Sequence, residues 1–211
     1  MSDKREIVVI GAGGFAAEVI ETAVLAGWHV AEIYDDTPSA AGRTILGARC
    51  VGPIDLLASK NSPGVKFIFA IGDNIARQRI GARLAASGCE AVALVHPTAC
   101  VSRTASVAGG TFVGAQTFVG PHVQIGEHAI VNVGASVGHD ASVGAFAQLC
   151  PGARVSGFAK IGLGAFMGSN AVVSPRVAVG DWAKLGAGSF AARDVPGGKL
   201  AIGVPARVVA D

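Results

Sequence analysis

From Val95 onward an aliphatic residue or methionine returns at every sixth position: Val95, Val101, Val107, Val113, Val119, Ile125, Val131, Val137, Val143, Leu149, Val155, Ile161, Met167, Val173, Val179 and Leu185. A small residue precedes most of them by two places, as at Ala129, Ala135, Ala141, Ala147 and Ala153, and glycine often follows. A period of six matches neither the 3.6-residue helix nor an alternating strand. It matches a coil that turns a corner every six residues, with the aliphatic side chain inside and the small one filling the corner. Three hexads then make one triangular turn, and successive turns stack as parallel strands about 4.8 Å apart. Each inward aliphatic contributes roughly 1.5–3 kcal/mol on burial. The pattern predicts a parallel β-solenoid of about five turns within residues 95–211.

Before Val95 the pattern changes. A buried-strand candidate, Glu6 to Ile10, runs into GAGGFAAEV and a helical pattern reaching about Ala26. A second strand, HVAEIY, ends at Asp35 and Asp36, and a third, VKFIFAIG, ends at Gly72 and Asp73. A helical segment, Ala76 to Ser87, leads to a strand AVALV. Alternating strand and helix predicts a small Rossmann-like α/β domain over residues 1–94. Its turn, Gly11, Gly13 and Ala16, has the G-x-G-x-x-A form that brings backbone close to a pyrophosphate at a helix N-terminus. Carboxylates closing the second strand suit a ribose or base. Fewer than 95 residues precede the repeats, which is about half of a full dinucleotide fold, so one nucleotide diphosphate fits better than a nicotinamide cofactor.

Composition removes several alternatives. Charged residues are 15% of the chain and the formal net charge is +2, too little for a phosphate-neutralising stripe, so no nucleic-acid partner is expected. No apolar run approaches the roughly 18–20 residues that span a bilayer, so no membrane partner is expected either. The N-terminal apolar run ends at once in the glycine turn and reads as a first strand, not an export signal, which points to a cytoplasmic protein. Cys50, Cys89, Cys100 and Cys150 have neither paired nor metal-like spacing and read as reduced, buried small hydrophobes.

Within the solenoid, His139 and Asp140 interrupt an otherwise small and aliphatic run, VGHDASVG. In the hexad frame both face outward. A histidine is the natural general base at neutral pH, and an adjoining carboxylate can hold its other ring nitrogen. One turn of 18 residues places Gly157 beside His139 and His122 beside Asp140. Gly157 would leave room for substrate and offer an N–H to an oxyanion, and His122 is a candidate second partner for the carboxylate. His122, His128 and His139 are spaced six and eleven apart, unlike the five-residue ligand spacing of zinc β-helix carbonic anhydrases, so no metal is expected.

The segment VNVGASVGHDASVGAFAQLCPGA, the glycine-turn N-terminal half and the ending DVPGGKLAIGVPARVV resemble the nucleotide-sugar N-acetyltransferases of bacterial surface-glycan synthesis, a group that includes sialic acid O-acetyltransferase-like members. That resemblance implies a left-handed β-helix and a homotrimer with sites between subunits. It implies transfer of acetyl from acetyl-CoA to the 4-amino group of a UDP- or GDP-linked 4-amino-4,6-dideoxy sugar. His139 would then be the base, Asp140 its partner, Gly157 the oxyanion donor and Asn132 a sugar contact. Acetyl-CoA would lie near Gln148, Ser169 and Ala187, with its adenine toward Pro205 and Arg207. The nucleotide would meet Gly13, Gly14, Phe15, Asp35, Asp36, Gly72, Asp73 and Asn74. Phe15 and Gln148 stand where the family usually has histidine; Arg77 or Arg79 is the candidate substitute for the phosphate contact. O-acetylation and a non-catalytic trimeric scaffold are the alternatives.

Overall fold

A computed structural model describes residues 5–59 and 63–209. Each hexad supplies a two-residue rung, from Leu94–Val95 to Phe190–Ala191. Rungs one turn apart pair in parallel: Val113↔Val131 on a first face, Val137↔Val155 on a second and Val143↔Ile161 on a third. The inward residues Val113, Val131, Leu149, Met167 and Leu185 are 0% exposed, and the alanines two places before them are buried as well wherever they occur along this stack.

The corners carry a second period that hydropathy does not reveal. Every sixth residue from Gly110 to Gly188 has a positive φ. Glycine meets this easily at Gly134, Gly152 and Gly164, but Gln116, His122, Asp140, Phe146, Phe158, Arg176 and Trp182 adopt it too, at φ of 56° to 64°. Hydrogen bonds from the neighbouring turn hold them there: Asp140 N donates to Pro121 O at 2.9 Å, and Phe158 N to His139 O at 3.0 Å.

The N-terminal half is a six-stranded sheet containing β1 (Arg5–Ile10), β2 (Trp28–Tyr34), β3 (Thr44–Ile45), β4 (Ala48–Gly52), β5 (Lys66–Phe69) and β6 (Glu90–Ala91), in the order β3-β4-β2-β1-β5-β6. Helices α1 (Phe15–Leu25), α2 (Ile54–Ser59) and α3 (Asn74–Ala86) connect them. The hairpin of β3 and β4, antiparallel through Leu46 and Gly47 at positive φ, has no counterpart in the sequence reading. The predicted strand AVALV is divided: Glu90–Ala91 closes this sheet and Leu94–Val95 opens the solenoid, because Leu94 N and His96 N already donate to Thr111 O and Val113 O of the next turn.

The domain sits on the first solenoid face. Outward residues Leu94, Phe112 and Ile130 of that face join the core of Ile7, Val9, Val19 and Ile68. Arg77 of α3 then grips the corner. It is 0% exposed, and its guanidinium donates to the carbonyls of His128 (3.2 Å), Phe146 (2.8 Å), Ile71 (2.9 Å) and Gly72 (3.1 Å) and to the side-chain oxygens of Asn74 (3.0 Å) and Gln148 (3.4 Å). Asn74 Nδ2 adds the Gly164 carbonyl at 3.0 Å. His128, Phe146 and Gly164 occupy one corner on three consecutive turns, so α3 reads the solenoid's own repeat. Burial lowers the Arg77 pKa to about 10, which keeps it charged at neutral pH. This assignment overturns Arg77 as a phosphate contact, since its donors are spent inside the protein.

Beside it His128 is buried between Phe67 and Phe146, with ring centroids at 5.9 and 5.1 Å. Its Nδ1 has no partner among the described residues. Desolvation, with the Arg77 cation adding to it, pushes its pKa down to about 4.

Arg77→Met should lower stability by about 3 kcal/mol or more, because several buried carbonyls lose their donor at once; equilibrium denaturation measures this, and a wild-type midpoint would refute the grip. For His128 the folded pKa lies below the unfolded value, so stability is complete above pH ~6.5 and falls as pH drops toward 4, by up to about 3 kcal/mol. His128→Phe should flatten that part of the stability–pH curve.

Candidate active site

His139 stands on the corner between the second and third faces, after Val137 turns in and before Ser142–Val143 begins the next rung. Its side chain is 59% exposed. Asp140 takes the left-handed conformation, φ 59°, which aspartate tolerates better than most residues. That backbone turn brings its Oδ2 to 2.8 Å from His139 Nδ1. A carboxylate only accepts, so Nδ1 carries the proton and the lone pair is left on Nε2. On the next turn a Cβ at Gly157 would lie 2.7 Å from that Nε2 and 2.8 Å from Cε1; the His139 ring lies against Gly157, and only a residue without a side chain leaves room for it there. The Gly157 carbonyl accepts from Arg176 N at 3.2 Å, while its N–H has no acceptor among the described residues. His122 makes no hydrogen bond to Asp140; its N donates to Thr104 Oγ1 at 3.1 Å. The expected second partnership is therefore absent.

The loops of the N-terminal domain are tightly organised. A Cβ at Gly11, φ 110°, would come within 2.8 Å of the Ile71 side chain and 2.9 Å of Ala70 O, so the loops after β1 and β5 pass at backbone contact. Gly13 and Gly14 are exposed, with N–H groups that have no acceptor among the described residues. Asp35 accepts from Ala12 N at 2.6 Å and from Thr37 N at 2.7 Å. Burial would raise its pKa, but those bonds and nearby Arg43 outweigh it and hold the carboxyl below the usual range. Asp36 accepts from Ile54 N at 2.9 Å, at the start of α2. Phe15 turns its ring to Phe112 of the solenoid, edge to face at 5.1 Å, and joins the domain seam.

Gly72, Asp73 and Asn74 line a cavity of about 320 Å³ with Ile75, Phe166 and Trp182. Asp73 caps α3 through Ala76 N at 2.6 Å. Asn132 lines a second cavity, about 270 Å³, with Glu18, Glu21 and His96, and its Oδ1 accepts from Val133 N at 2.6 Å. Gln148 has its amide oxygen toward Arg77, and its Nε2 contacts Cys150 Sγ at 3.6 Å. Ser169 and Ala187 are exposed one turn apart, and Gly188 N donates to Ser169 O at 2.8 Å. Pro205 and Arg207 are exposed on or beside the terminal hairpin of Leu200–Gly203 and Ala206–Val208. Neither cavity includes His139, which lies on the prism edge opposite the face that carries the N-terminal domain.

Sequence reasoning missed Arg77 as a grip, Phe112 as its apolar counterpart, and Phe166 and Trp182 as cavity walls. Phe112 and Phe166, apolar at outward hexad positions, carried that signal. Cys50, Cys89 and Cys150 are buried as expected, but Cys100 is exposed because it occupies the outward place of its rung. Among the described residues no three metal-ligating side chains converge, and no helix is long and apolar enough to cross a membrane.

The PglD N-terminal domain family matches residues 6–84. No curated protein matches the chain. Among solved structures, a histidine-to-asparagine variant of perosamine N-acetyltransferase from Caulobacter crescentus, in complex with CoA and GDP-perosamine, is 36% identical with a TM-score of 0.91, over 98% of this chain and 97% of that one. The acetyltransferase domain of PglB from Neisseria gonorrhoeae, in complex with acetyl coenzyme A, is 33% identical with a TM-score of 0.90, over 98% and 100%. WeeI from Acinetobacter baumannii, 23% identical with a TM-score of 0.87 over 97% and 100%, shares the fold. With a likeness that runs through both halves, the chain belongs to the CoA-dependent sugar N-acetyltransferases built on the left-handed β-helix.

Proposed function

We propose that the protein transfers the acetyl group of acetyl-CoA to the 4-amino group of a nucleotide-linked 4-amino-4,6-dideoxy sugar, of the GDP-perosamine or UDP-bacillosamine-precursor type. One observation carries the reading: the exposed His139 ring lies against Gly157 of the next turn while Asp140 holds Nδ1 at 2.8 Å, which in the neutral ring leaves the lone pair on Nε2. Relatives crystallised with CoA and GDP-perosamine support the substrate classes.

His139 Nε2 takes the proton as the sugar nitrogen attacks the thioester carbonyl. Asp140 stabilises the imidazolium that forms. The Gly157 N–H, which has no acceptor among the described residues, donates to the oxyanion of the tetrahedral intermediate. Collapse breaks the C–S bond, and the proton held by His139 goes to the departing thiolate. No acyl-enzyme forms. Gly13 and Gly14 place free amides at the N-terminus of α1, where a diphosphate is favoured, and this compensates for Phe15, whose ring is committed to Phe112. Ser169, Ala187, Pro205 and Arg207 mark the side of the solenoid along which CoA would lie. The open flank of His139 is closed by a second protomer in a homotrimer, and the enzyme works in the cytoplasm on surface-glycan precursors.

A thiol-release assay with acetyl-CoA against UDP-, GDP- and dTDP-linked 4-amino sugars tests this; release only with hydroxyl acceptors would make the enzyme an O-acetyltransferase. His139→Ala should remain folded and lose roughly 10²- to 10⁴-fold in kcat. Asp140→Asn should cost less and displace the acidic limb of the rate profile, and an unmoved limb would remove Asp140 from the mechanism. Gly157→Ala, at an ordinary φ, should fold normally yet lose most turnover, since its methyl displaces the base; near-wild-type kcat would mean that Nε2 works elsewhere.

A further inference from the structure

The acetyl-transfer reading leaves one physical question at His139. An imidazole that is 59% exposed and held by a single hydrogen bond is not fixed by it, because the terminal χ2 of histidine is broad. Gly157 lies against one side of the ring but has no side chain to hold it. Phe158 stands on the other, with its ring edge-on to His139 at 5.2 Å and 89°. Behind it the Arg176 guanidinium lies over the Phe158 ring, 4.7 Å from the centroid. The backbone fixes these positions: Phe158 N donates to His139 O at 3.0 Å, and Arg176 N to Gly157 O at 3.2 Å.

Phe158 is costly where it is. It holds φ 61° at a corner position that Gly134, Gly152 and Gly164 fill without a Cβ penalty. Other bulky residues at this position are accounted for by packing: Phe146 stacks on buried His128, and Trp182 lines the cavity beside α3. Phe158 is 41% exposed and belongs to none of the three hydrophobic cores. The described ring contacts it makes are with His139 and Arg176.

Resting on the acetyl-transfer reading, we infer that Phe158 is the positioning residue of the base and that Arg176 acts through it, by a cation–π contact that keeps the phenyl ring upright against the imidazole. Neither residue exchanges a proton.

Phe158→Ala, Phe158→Tyr, Arg176→Ala and the double alanine variant test this, with acetyl-CoA and the best 4-amino sugar nucleotide of the panel as substrates. Phe158→Ala should lower kcat about tenfold, the scale expected when a reacting group loses its alignment, with both KM values changed less than about twofold. Phe158→Tyr should restore the rate. Arg176→Ala should lower kcat about threefold alone and add nothing once Phe158 is alanine, since it has no ring to act through. A crystal structure of Phe158→Ala should find the His139 ring rotated or in two positions. An unchanged kcat, an unmoved ring, or a full additional loss in the double variant overturns the assignment. If the wild type turns over no sugar nucleotide, the acetyl-transfer reading falls by itself, and the ring position in Phe158→Ala decides this one alone.

Discussion

The constraint on which everything else depends is the 18-residue register of the solenoid. Parallel rungs pair without a slip from Val95 to Leu185, so side chains one turn apart always meet. The register places a left-handed residue at each corner from Gly110 to Gly188, and the hydrogen bonds of adjacent turns hold histidine, phenylalanine and tryptophan in that conformation. Because the repeat is rigid, a residue's chemistry follows from its column: inward residues pack, rung-outward residues meet a neighbouring domain or solvent, and corner residues project.

The N-terminal domain uses the same register from outside. Apolar outward residues on the first three rungs of one face fuse the two cores, and Arg77 with Asn74 takes carbonyls from three stacked corners. A guanidinium suits this task because its five donors are fixed in a plane, whereas an ammonium has three and a stronger hold on water. The hydrogen-bond partners of the cation are neutral carbonyl and amide oxygens, and the Asp73 carboxylate acts on it through charge alone. Its position also explains Gln148, whose oxygen completes the cradle. The loop bearing Gly72 and Asp73 is thereby anchored to the solenoid, so this edge of the small domain is preset relative to the coil.

The corner at His139 is built differently. His139 is exposed and lightly bonded, with a glycine backbone against one side and an aromatic on the other. It lies on the prism edge opposite the face that carries the N-terminal domain.

Much of this was legible in the sequence. The hexads gave the coil, its axis repeat and the inward set, because burial imposes a strict period on aliphatic positions. Counting by 18 was enough to bring Gly157 to His139, and the strand, glycine turn and helix order was enough for the α/β half. The hairpin at Thr44–Gly52 escaped notice because its residues alternate too weakly to signal a strand. What only the tertiary structure decided concerns side chains with two possible employments. Arg77 read as a candidate phosphate contact and Phe15 as a residue lining the nucleotide, and both are packed into the domain seam; His122 read as a candidate second partner of Asp140 and is bonded elsewhere. A linear pattern fixes which face a residue occupies, but its hydrogen-bond partners are set by how a second domain lies against that face, and no local period encodes that.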